Sequence, residues 1–575
     1  MHRGLVAVAT LLMAAVTAGC FGGEPDPDPT PPQGAGPTPQ SGDLPADVQL
    51  ARSGRWLAPF DGQVPAVNII LLDDGRVLYW SGVEANESDG AANVVFFDVS
   101  PADAQSRVVD LSGDSPVVTL PGSPDGAADD LFCAGATVLP DGRVLAVGAS
   151  EWHQQPDVEP FLRGGTDARL FDPATDTWTR GSDMLFGRWY PSAITLPDGK
   201  ALVASGIGSL TNPTEQWPQL EVYDPAADTW TYLQGSDRLL PLYPRITVVP
   251  GGPFEGHLFY NTVGTLWGPF GEHPEQAVWS IQQDLDLSAT EAGWSYDTPS
   301  SFGARQHGSN VMLLLDPARD YAPEFVSFGG TLYQSFAATP FTERIDLATD
   351  PPVNTIGEPM ASPRWHHNGV LLPTGEILAV GGGLYDNVIA HGQPNVAVLP
   401  AEMYDPGSST WTTLASMSVE RMYHSTAVLL PDGRVLAGGH VPLPNPVQPA
   451  RGSVNPQIHE TRLEVFEPPY LFRGTRPVIE EAPRQAAYGS DFTVRVTDPD
   501  AIERFVMMRP GATTHAFDSE QRGVILQSEK QPDGSFLVHA PSSGLILQPG
   551  TSMLFAVGQG EGGPVPSVAH MVRLA

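Results

Sequence analysis

The sequence predicts an all-β protein, a seven-bladed β-propeller followed by a small β-sandwich. Three observations support this fold class. A hairpin-like unit recurs along most of the chain, and a second signature containing Asp-Pro follows several of its copies. Both disappear before residue 473, where short alternating apolar runs replace them. Strand pairs repeated at this spacing are typical of propellers, in which each blade is one antiparallel sheet.

The repeat unit is an apolar strand, a turn of the Pro-Asp-Gly type, a second apolar strand and a small-residue end. Its clearest copies read LLDDGRVLYWSG, VLPDGRVLAVG, TLPDGKALVASG, LLPTGEILAVGGG and LLPDGRVLAGG. The turn glycines of these copies are Gly75, Gly142, Gly199, Gly375 and Gly433. Consecutive turn glycines are separated by 67, 57, 176 and 58 residues. The long interval is close to three times the others. We therefore predict two diverged units inside it, beginning at Val248 and Met312, which makes seven.

The second signature supplies the other half of each blade. It reads LFDPATDTW from Leu170, VYDPAADTW from Val222 and MYDPGSSTW from Met403. Two hairpins per period give four strands, which is a propeller blade of the kelch type, whereas a β-helix would need much shorter repeats. We predict that the propeller spans 55–472. The runs FTVRVTD, RFVMMRP, SFLVHAP and SMLFAVG that follow predict an immunoglobulin-like β-sandwich over 473–575.

The charge of the chain argues against nucleic-acid binding. Lys and Arg number 30 and Asp and Glu number 66 among 575 residues, which gives a formal net charge of −36. A nucleic-acid partner requires cationic neutralisation of phosphates. The acidic charge instead favours solubility. We separately expect a monomer whose partners are small molecules.

The N-terminus predicts export. An apolar stretch from Leu5 to Ala18 is too short to span a bilayer in the mature protein, and it runs through small residues into Cys20. This pattern resembles a lipobox, so we predict a lipoprotein signal peptide over 1–20 with lipidation of Cys20; plain cleavage is the alternative. A Pro- and Gly-rich stretch over 21–54 predicts a disordered tether. The expected location is the periplasmic or cell-surface side of a membrane, which the lipid anchor would hold.

Cysteine usage isolates one residue. The chain contains two cysteines, Cys20 and Cys133, and only Cys133 lies in the predicted fold. A structural disulfide within the fold is therefore excluded, although an exported protein could contain one. A lone cysteine in such a domain needs another explanation.

Candidate functional residues occur just before the first strand of several repeat units. Because equivalent loops of a propeller meet near its axis, these residues are expected to converge at one end of it. They are Cys133, Tyr190, His366 and His367, and Tyr423 and His424. Taken singly, each is more often a packing residue than a functional one.

Six motifs together resemble the copper radical oxidases, the family of galactose oxidase and glyoxal oxidase. They are DLFC with Cys133, RWYPS with Tyr190, MYHS with Tyr423 and His424, TTHAFDSEQR with His515, and the closing PGTSMLFAVG and VPSVAHMVRL. The resemblance covers 55–575 and implies that the C-terminal sandwich is an early-set domain. The segment IGSLTNPTEQW lacks the GGSW pattern of galactose oxidase, and LYPR is similar to glyoxal oxidases.

The resemblance implies a site and a reaction. Cys133 and Tyr190 would form a thioether crosslink that makes the Tyr190 phenol easier to oxidise to a radical. Tyr190, Tyr423, His424 and His515 would bind one copper ion, Tyr423 would take the substrate hydroxyl proton, and O2 would be reduced to H2O2. Imidazoles and phenolates suit copper(II). A second electron store beside the metal is needed for a two-electron oxidation, and a modified tyrosine supplies it.

Several assignments around this site are secondary. Arg245 is a candidate for binding substrate oxygens, with a surface salt bridge as the alternative. Trp189 is a candidate to stack on or shield the radical at Tyr190. Packing is the favoured interpretation of His366 and His367. The expected substrates are small aldehydes or primary alcohols, including carbohydrates. The competing hypothesis is a non-catalytic kelch module that binds glycan or protein at the cell surface.

Overall fold

The structure, a computed structural model, describes most of the chain after residue 45. The described ranges are 46–81, 106–124, 131–153, 161–208, 216–261, 281–286, 294–302, 305–332, 337–386, 396–440 and 460–575. The predicted signal peptide, Cys20 and most of the predicted tether lie outside them. Within the described residues, no helix is long and apolar enough to cross a membrane.

The predicted tether of 21–54 ends earlier than the sequence suggested. Ala46–Ser53 forms an α-helix, with Asp47 in its first turn and Arg52 in its last. These charges complement the helix dipole. The helix packs against the short 3₁₀ helix Pro469–Phe472, so this part of the chain belongs to the folded domain.

Seven antiparallel sheets follow one another along the described chain, and we call them blades 1 to 7. Blade 1 consists of the strands Asn68–Leu71, Val77–Trp80, Ser106–Asp110 and Val117–Thr119. Blade 2 consists of Gly135–Val138, Val144–Val147, Ala168–Asp172 and Thr177–Arg180. Blade 3 consists of Ser192–Thr195, Ala201–Ala204, Glu221–Asp224 and Thr229–Tyr232. Blade 4 consists of Arg245–Val248, His257–Asn261, Ile281–Asp286 and Trp294–Pro299. Blade 5 consists of Ser309–Met312, Glu324–Phe328, Thr342–Asp346 and Val353–Gly357. Blade 6 consists of Asn368–Leu371, Ile377–Val380, Pro400–Asp405 and Thr410–Ser416.

Blade 7 takes strands from both ends of the folded chain. Ser425–Leu429, Val435–Gly439 and Arg462–Glu467 form its first three strands, and Arg55–Trp56 and Phe60–Asp61 both pair with the third. The all-β class and the seven units predicted from the repeats are confirmed. Blades 4 and 5 are the two diverged units expected in the long interval, and their first strands end at Val248 and Met312.

The repeat residues explain the shape of each blade. All five turn glycines have φ between 84° and 93°, which side chains other than glycine rarely adopt. The first two strands of a blade are continuously apolar because they are buried between neighbouring blades, as in Val144–Val147. The fourth strands alternate, as in Thr229–Tyr232, because one face meets solvent. Further short strands pair outside the blades: Ser150–His153 with Phe161–Gly164, and Arg305–Gln306 with Thr331–Leu332.

The C-terminal residues form two packed sheets. One contains Ile479–Glu481, Asp491–Val496, Phe536–His539 and Ser528–Lys530. The other contains Gln485–Ala486, His570–Leu574, Gly550–Gly560, Ile502–Met508, Gly523–Leu526 and Gly563–Pro566. Their apolar faces share one buried core, which includes Phe505, Val538 and Leu554. Among the described residues, two further 3₁₀ helices, Gly252–Phe254 and Pro317–Arg319, lie in blades 4 and 5.

A hairpin leaves this domain and lies among the first strands of the blades. We call it the central hairpin; its strands are Ala512–Thr514 and Phe517–Asp518, and the first of them pairs with Asn68–Leu71 of blade 1. Residues that follow it make hydrogen bonds to the first strands of blades 2 to 6: Ser519 to Ala136, Glu520 to Thr195, Arg522 to Val248, and Gln521 to Met312 and Gly369. Blade 7 packs against it through Ser425–Leu429. The hairpin therefore occupies the centre of the seven sheets.

Candidate metal centre

The loops that lead into the blades carry a repeated backbone feature. In blades 2 to 7, a residue one or two positions before the first strand has a left-handed backbone, with φ between 44° and 66°. These residues are Cys133, Tyr190, Tyr243, His307, His366 and His424. Each such conformation costs about 1–3 kcal/mol in a residue other than glycine, and strain of this kind clusters at functional sites.

Buried ion pairs fix four of these leading loops. In each case an arginine two or three residues before the left-handed residue pairs with a glutamate in the third strand of the same blade. The pairs are Arg188–Glu221, Arg305–Glu343, Arg364–Glu402 and Arg421–Glu464. The same arginines donate to backbone carbonyls at the end of the second strand. Because these charged groups are fully buried and paired, moving a loop would leave a charge unpaired, which is strongly unfavourable.

Three potential metal-binding atoms meet where the loops converge. Cys133 Sγ lies 3.9 Å from His424 Nε2 and 3.8 Å from His515 Nε2. All three atoms lie within 4.8 Å of one another, and the three side chains are completely buried. His515 belongs to the turn of the central hairpin, so the C-terminal domain completes a cluster that the propeller begins.

Two tyrosines complete the cluster. The hydroxyls of Tyr190 and Tyr423 are 2.5 Å apart, and the Tyr190 hydroxyl is 3.4 Å from His424 Nε2. The backbone N–H of Tyr190 donates to the Cys133 carbonyl at 3.4 Å, which ties together the two residues predicted to crosslink. The structure thus brings together all five residues that the sequence motifs singled out.

The hydroxyl of Thr514 determines which nitrogen of His515 carries the proton. Thr514 Oγ1 donates to the Val67 carbonyl at 2.8 Å and lies 2.7 Å from His515 Nδ1. A hydroxyl has one hydrogen to donate, so it must accept from the imidazole. Nδ1 is therefore protonated, and the lone pair of Nε2 points to Cys133 and His424. This is the tautomer that a metal ligand requires.

Burial keeps the site neutral in the absence of a metal. Desolvation raises the pKa of the Cys133 thiol and of the Tyr190 and Tyr423 hydroxyls well above their usual values. Desolvation, reinforced by neighbouring imidazoles, lowers the pKa of His515 well below its usual value. Neutral imidazole nitrogens are available as ligands, and the phenol protons are the ones that a bound cation would displace.

The structure corrects the interpretation of Arg245. Its side chain is buried, so a surface salt bridge is wrong, and its guanidinium donates to the backbone carbonyls of Tyr243, Gly308 and His515 at 2.9, 3.2 and 2.8 Å. Through the bond to the His515 carbonyl, Arg245 holds the turn that presents His515. Its role in substrate binding stays a prediction. Burial lowers its pKa to about 9.

Trp189 lies where the sequence suggested. Its ring centroid is 3.9 Å from that of Tyr190, with the planes tilted by 56°. It covers one side of the Tyr190 ring, and this position is compatible with the shielding role predicted for it.

Sequence reasoning missed two residues of the ring of leading loops. The Tyr243 ring stacks on the His515 ring, with their centroids 4.4 Å apart. Its centroid lies 4.8 Å from that of the Tyr190 ring. The ring centroid of His307 lies 6.1 Å from that of Tyr423. Both belong to the diverged blades 4 and 5, where no Pro-Asp-Gly turn marks the position. The signal that could have found them is their placement two residues before the first strands.

The two histidines of blade 6 differ from each other. His367 packs against Phe328 at 5.1 Å, as the packing interpretation predicts. His366 instead lies among the metal-binding candidates, with its ring 4.8 Å from that of Tyr423 and 5.5 Å from that of His515. The ring nitrogens of both histidines lack a hydrogen-bond partner among the described residues.

Comparison with known proteins agrees with this geometry. The family described as "Glyoxal oxidase N-terminus" matches residues 303–470, and the family described as "Galactose oxidase-like, Early set domain" matches residues 476–574. "Aldehyde oxidase GLOX" of Vitis pseudoreticulata is 30% identical over 77% of this chain and 82% of its own length. "Galactose oxidase" of Gibberella zeae is 26% identical over 91% of this chain and 70% of its own length.

A solved structure shares the fold. It is that of a fungal alcohol oxidase of the AA5 family in complex with copper, and it matches with a TM-score of 0.69 and 22% identity over 91% of this chain and 100% of the other. The relatives, the early-set domain and the clustered motif residues lead to one conclusion: the chain belongs to the copper radical oxidase family of galactose oxidase and glyoxal oxidase.

Proposed function

We propose that the protein oxidises small aldehydes or primary alcohols, carbohydrates among them, with O2 to give H2O2. The observation that carries the proposal is the buried cluster of Cys133, Tyr190, Tyr423, His424 and His515. An alcohol would lose two protons and two electrons to become an aldehyde, and O2 would take them up as H2O2. The alternative of a non-catalytic glycan- or protein-binding module gives no reason for such a cluster.

The residues present fit copper. Two imidazole nitrogens and two phenol oxygens form a donor set that suits copper(II), and the protonation of His515 at Nδ1 leaves its other nitrogen free to bind. Tyr190, Tyr423, His424 and His515 would hold the ion. When bound, copper would supply one of the two electron stores that the reaction needs.

Each side chain has a definite task in the proposed reaction. Tyr423 Oη would accept the proton of the substrate hydroxyl. Tyr190, crosslinked to Cys133 and oxidised to a radical, would take a hydrogen atom from the carbon that bears this hydroxyl. Trp189 covers the Tyr190 ring and limits access of water to the radical. Burial of the site keeps these groups oriented and dry.

The test is to measure copper content and peroxide production on the same preparation. We expect about one copper per chain and H2O2 formation with small aldehydes or primary alcohols. Metal-free protein is the control and should form none. Full copper occupancy without peroxide formation across such a panel would contradict the proposed activity, and protein that binds no copper would favour the binding module.

Removing the Thr514 hydroxyl should weaken copper binding. The variant Thr514→Val keeps the shape of the side chain but frees His515 to adopt the other tautomer. Loss of such an outer partner typically weakens metal affinity about 10–100-fold. The measurement is the copper dissociation constant, obtained by competition with a chelator. Thr513→Val is the matched control, because the buried Thr513 hydroxyl has no hydrogen-bond partner among the described residues, and its affinity should equal that of the wild type.

We also propose that the protein is exported and held at a membrane by a lipid on Cys20, and that it acts as a monomer. The N-terminal sequence supports the first part, and a site assembled from one chain supports the second. Metabolic labelling with a radioactive fatty acid tests the anchor. Label should appear in the wild type and be lost in Cys20→Ala, whereas an unlabelled wild type would indicate plain cleavage of the signal peptide.

A further inference from the structure

His366 is a buried polar group at the metal centre without a protein partner. Its side chain is completely buried, and neither ring nitrogen has a hydrogen-bond partner in the part of the chain that the structure describes. Its ring lies 4.8, 5.5 and 6.3 Å from those of Tyr423, His515 and His424. A buried group left unsatisfied costs about 1–3 kcal/mol, so such groups are rare and call for an explanation.

The backbone of His366 aims this ring. Its φ is 55°, its N–H donates to the His307 carbonyl at 3.0 Å, and its carbonyl accepts from the Ser425 hydroxyl at 3.3 Å. The preceding residue, Trp365, stacks on Tyr423 with the ring planes 16° apart. The loop is therefore fixed on both sides of His366, and its ring is held against Tyr423, the proposed base.

His366 adjoins the metal-binding cluster without joining it. The group whose ligand atoms all lie within 4.8 Å of one another contains Cys133, His424 and His515, but not His366. A ring whose centroid lies 4.8–6.3 Å from those of three proposed ligands, and which is outside their group, is near enough to the proposed metal position to contact what binds beside the metal.

The reaction restricts what that partner is. A substrate must carry a hydroxyl and a hydrogen on the same carbon. A primary alcohol satisfies this with one oxygen, whereas an aldehyde satisfies it only as its hydrate, which has a second hydroxyl on that carbon. The hydrate RCH(OH)2 loses two protons and two electrons to become RCOOH, and O2 takes them up as H2O2.

We infer that His366 hydrogen-bonds the second hydroxyl of a hydrated aldehyde and so makes this site selective for geminal diols over primary alcohols. The inference rests on the proposed oxidase function. A primary alcohol would leave the imidazole unsatisfied. Sites built to bind a substrate hydroxyl discriminate against analogues that lack it.

Binding of an unreactive diol tests the inference without turnover. A small fluorinated ketone that is hydrated in water has two geminal hydroxyls but no hydrogen on that carbon, and the fluorinated secondary alcohol of the same skeleton has one hydroxyl. Calorimetry on the copper-loaded protein gives the dissociation constant of each. We expect the wild type to prefer the diol, and His366→Phe to weaken diol binding about tenfold with little change for the alcohol.

Two further variants separate hydrogen bonding from structure. His366→Gln should restore part of the preference, because an amide can bind the hydroxyl. His367→Gln is the matched control. The ring nitrogens of His367 also lack a hydrogen-bond partner among the described residues, but its ring packs on Phe328, so the variant should leave the preference for the diol unchanged. The inference would be overturned if His366→Phe weakened binding of the diol and of the alcohol equally, or if the wild type bound the two with equal affinity. Loss of copper from His366→Phe would also overturn it, because His366 would then be a ligand.

Turnover of the same preparations distinguishes this inference from the proposed function. In His366→Phe, kcat/KM for a strongly hydrated aldehyde should fall about tenfold relative to that for the primary alcohol of the same skeleton. Preferential diol binding without any peroxide formation would contradict the oxidase proposal alone. Peroxide formation with an unchanged aldehyde-to-alcohol ratio would contradict the role of His366 alone.

Discussion

Replacing Cys133 with alanine is expected to abolish peroxide production while the fold and the copper site remain. Without the sulfur, Tyr190 cannot form a thioether, and an unmodified phenol is harder to oxidise. The loss should reach about a thousandfold or more, as expected for a group that acts directly in the chemistry. The fold should persist because the change removes one small buried atom. Tyr190 would keep its 2.5 Å contact with Tyr423.

Mass spectrometry and copper analysis decide how Cys133 acts. The copper-loaded wild type should be two hydrogen atoms lighter than its sequence predicts, and a crosslinked peptide should join Cys133 to Tyr190. Cys133→Ala and the closer mimic Cys133→Ser should bind copper normally. Since Cys133 Sγ lies within 4 Å of both imidazole nitrogens, loss of copper from both variants would show that the sulfur is a metal ligand. Retained activity would reject the radical mechanism.

The variant His515→Ala should lose the stabilisation that copper gives the folded protein. At free copper one hundred times the dissociation constant, binding should raise the free energy of unfolding of the wild type by about 2.7 kcal/mol. Since His515 provides one of the two imidazoles in the cluster, copper should raise the free energy of unfolding of the variant only slightly. Denaturant unfolding with and without copper measures both values.

A histidine outside the cluster provides the control for this experiment. His539 lies in the strand Phe536–His539 of the C-terminal sheet and pairs with Asp491. In His539→Ala, copper should raise the free energy of unfolding as much as in the wild type. An equal gain in His515→Ala and the wild type would show that copper binds without the central hairpin.

Local patterns predicted the fold and the five central residues. The Pro-Asp-Gly turns of five blades require a glycine with positive φ, which leaves a mark in the sequence that can be counted. Cys133, Tyr190, Tyr423 and His424 stand at similar distances from such turns, so their convergence could be expected. His515 was found only through the resemblance of its motif to the copper radical oxidases.

The remaining residues of the site depend on contacts between distant segments. The hydrogen-bond partners of Arg245 are carbonyls that only the folded chain brings together, including that of His515. Tyr243 and His307 lie in blades whose turns have diverged. His366 and His367 are adjacent in sequence, yet one faces the cluster and the other packs on Phe328. No periodicity distinguishes them, because the direction of each ring is set by the backbone at the left-handed residue.

The central hairpin also orders the maturation of the protein in time. Cys133 and His515 are separated by 382 residues. At the usual synthesis rate of about 5–20 residues per second, His515 is made roughly 20–75 s after Cys133. During that interval the thiol has neither the His515 imidazole nor the hairpin that fills the centre of the blades. The proposed crosslink between Cys133 and Tyr190 would therefore be a late step of biogenesis, and the incomplete chain would be protected from premature radical chemistry.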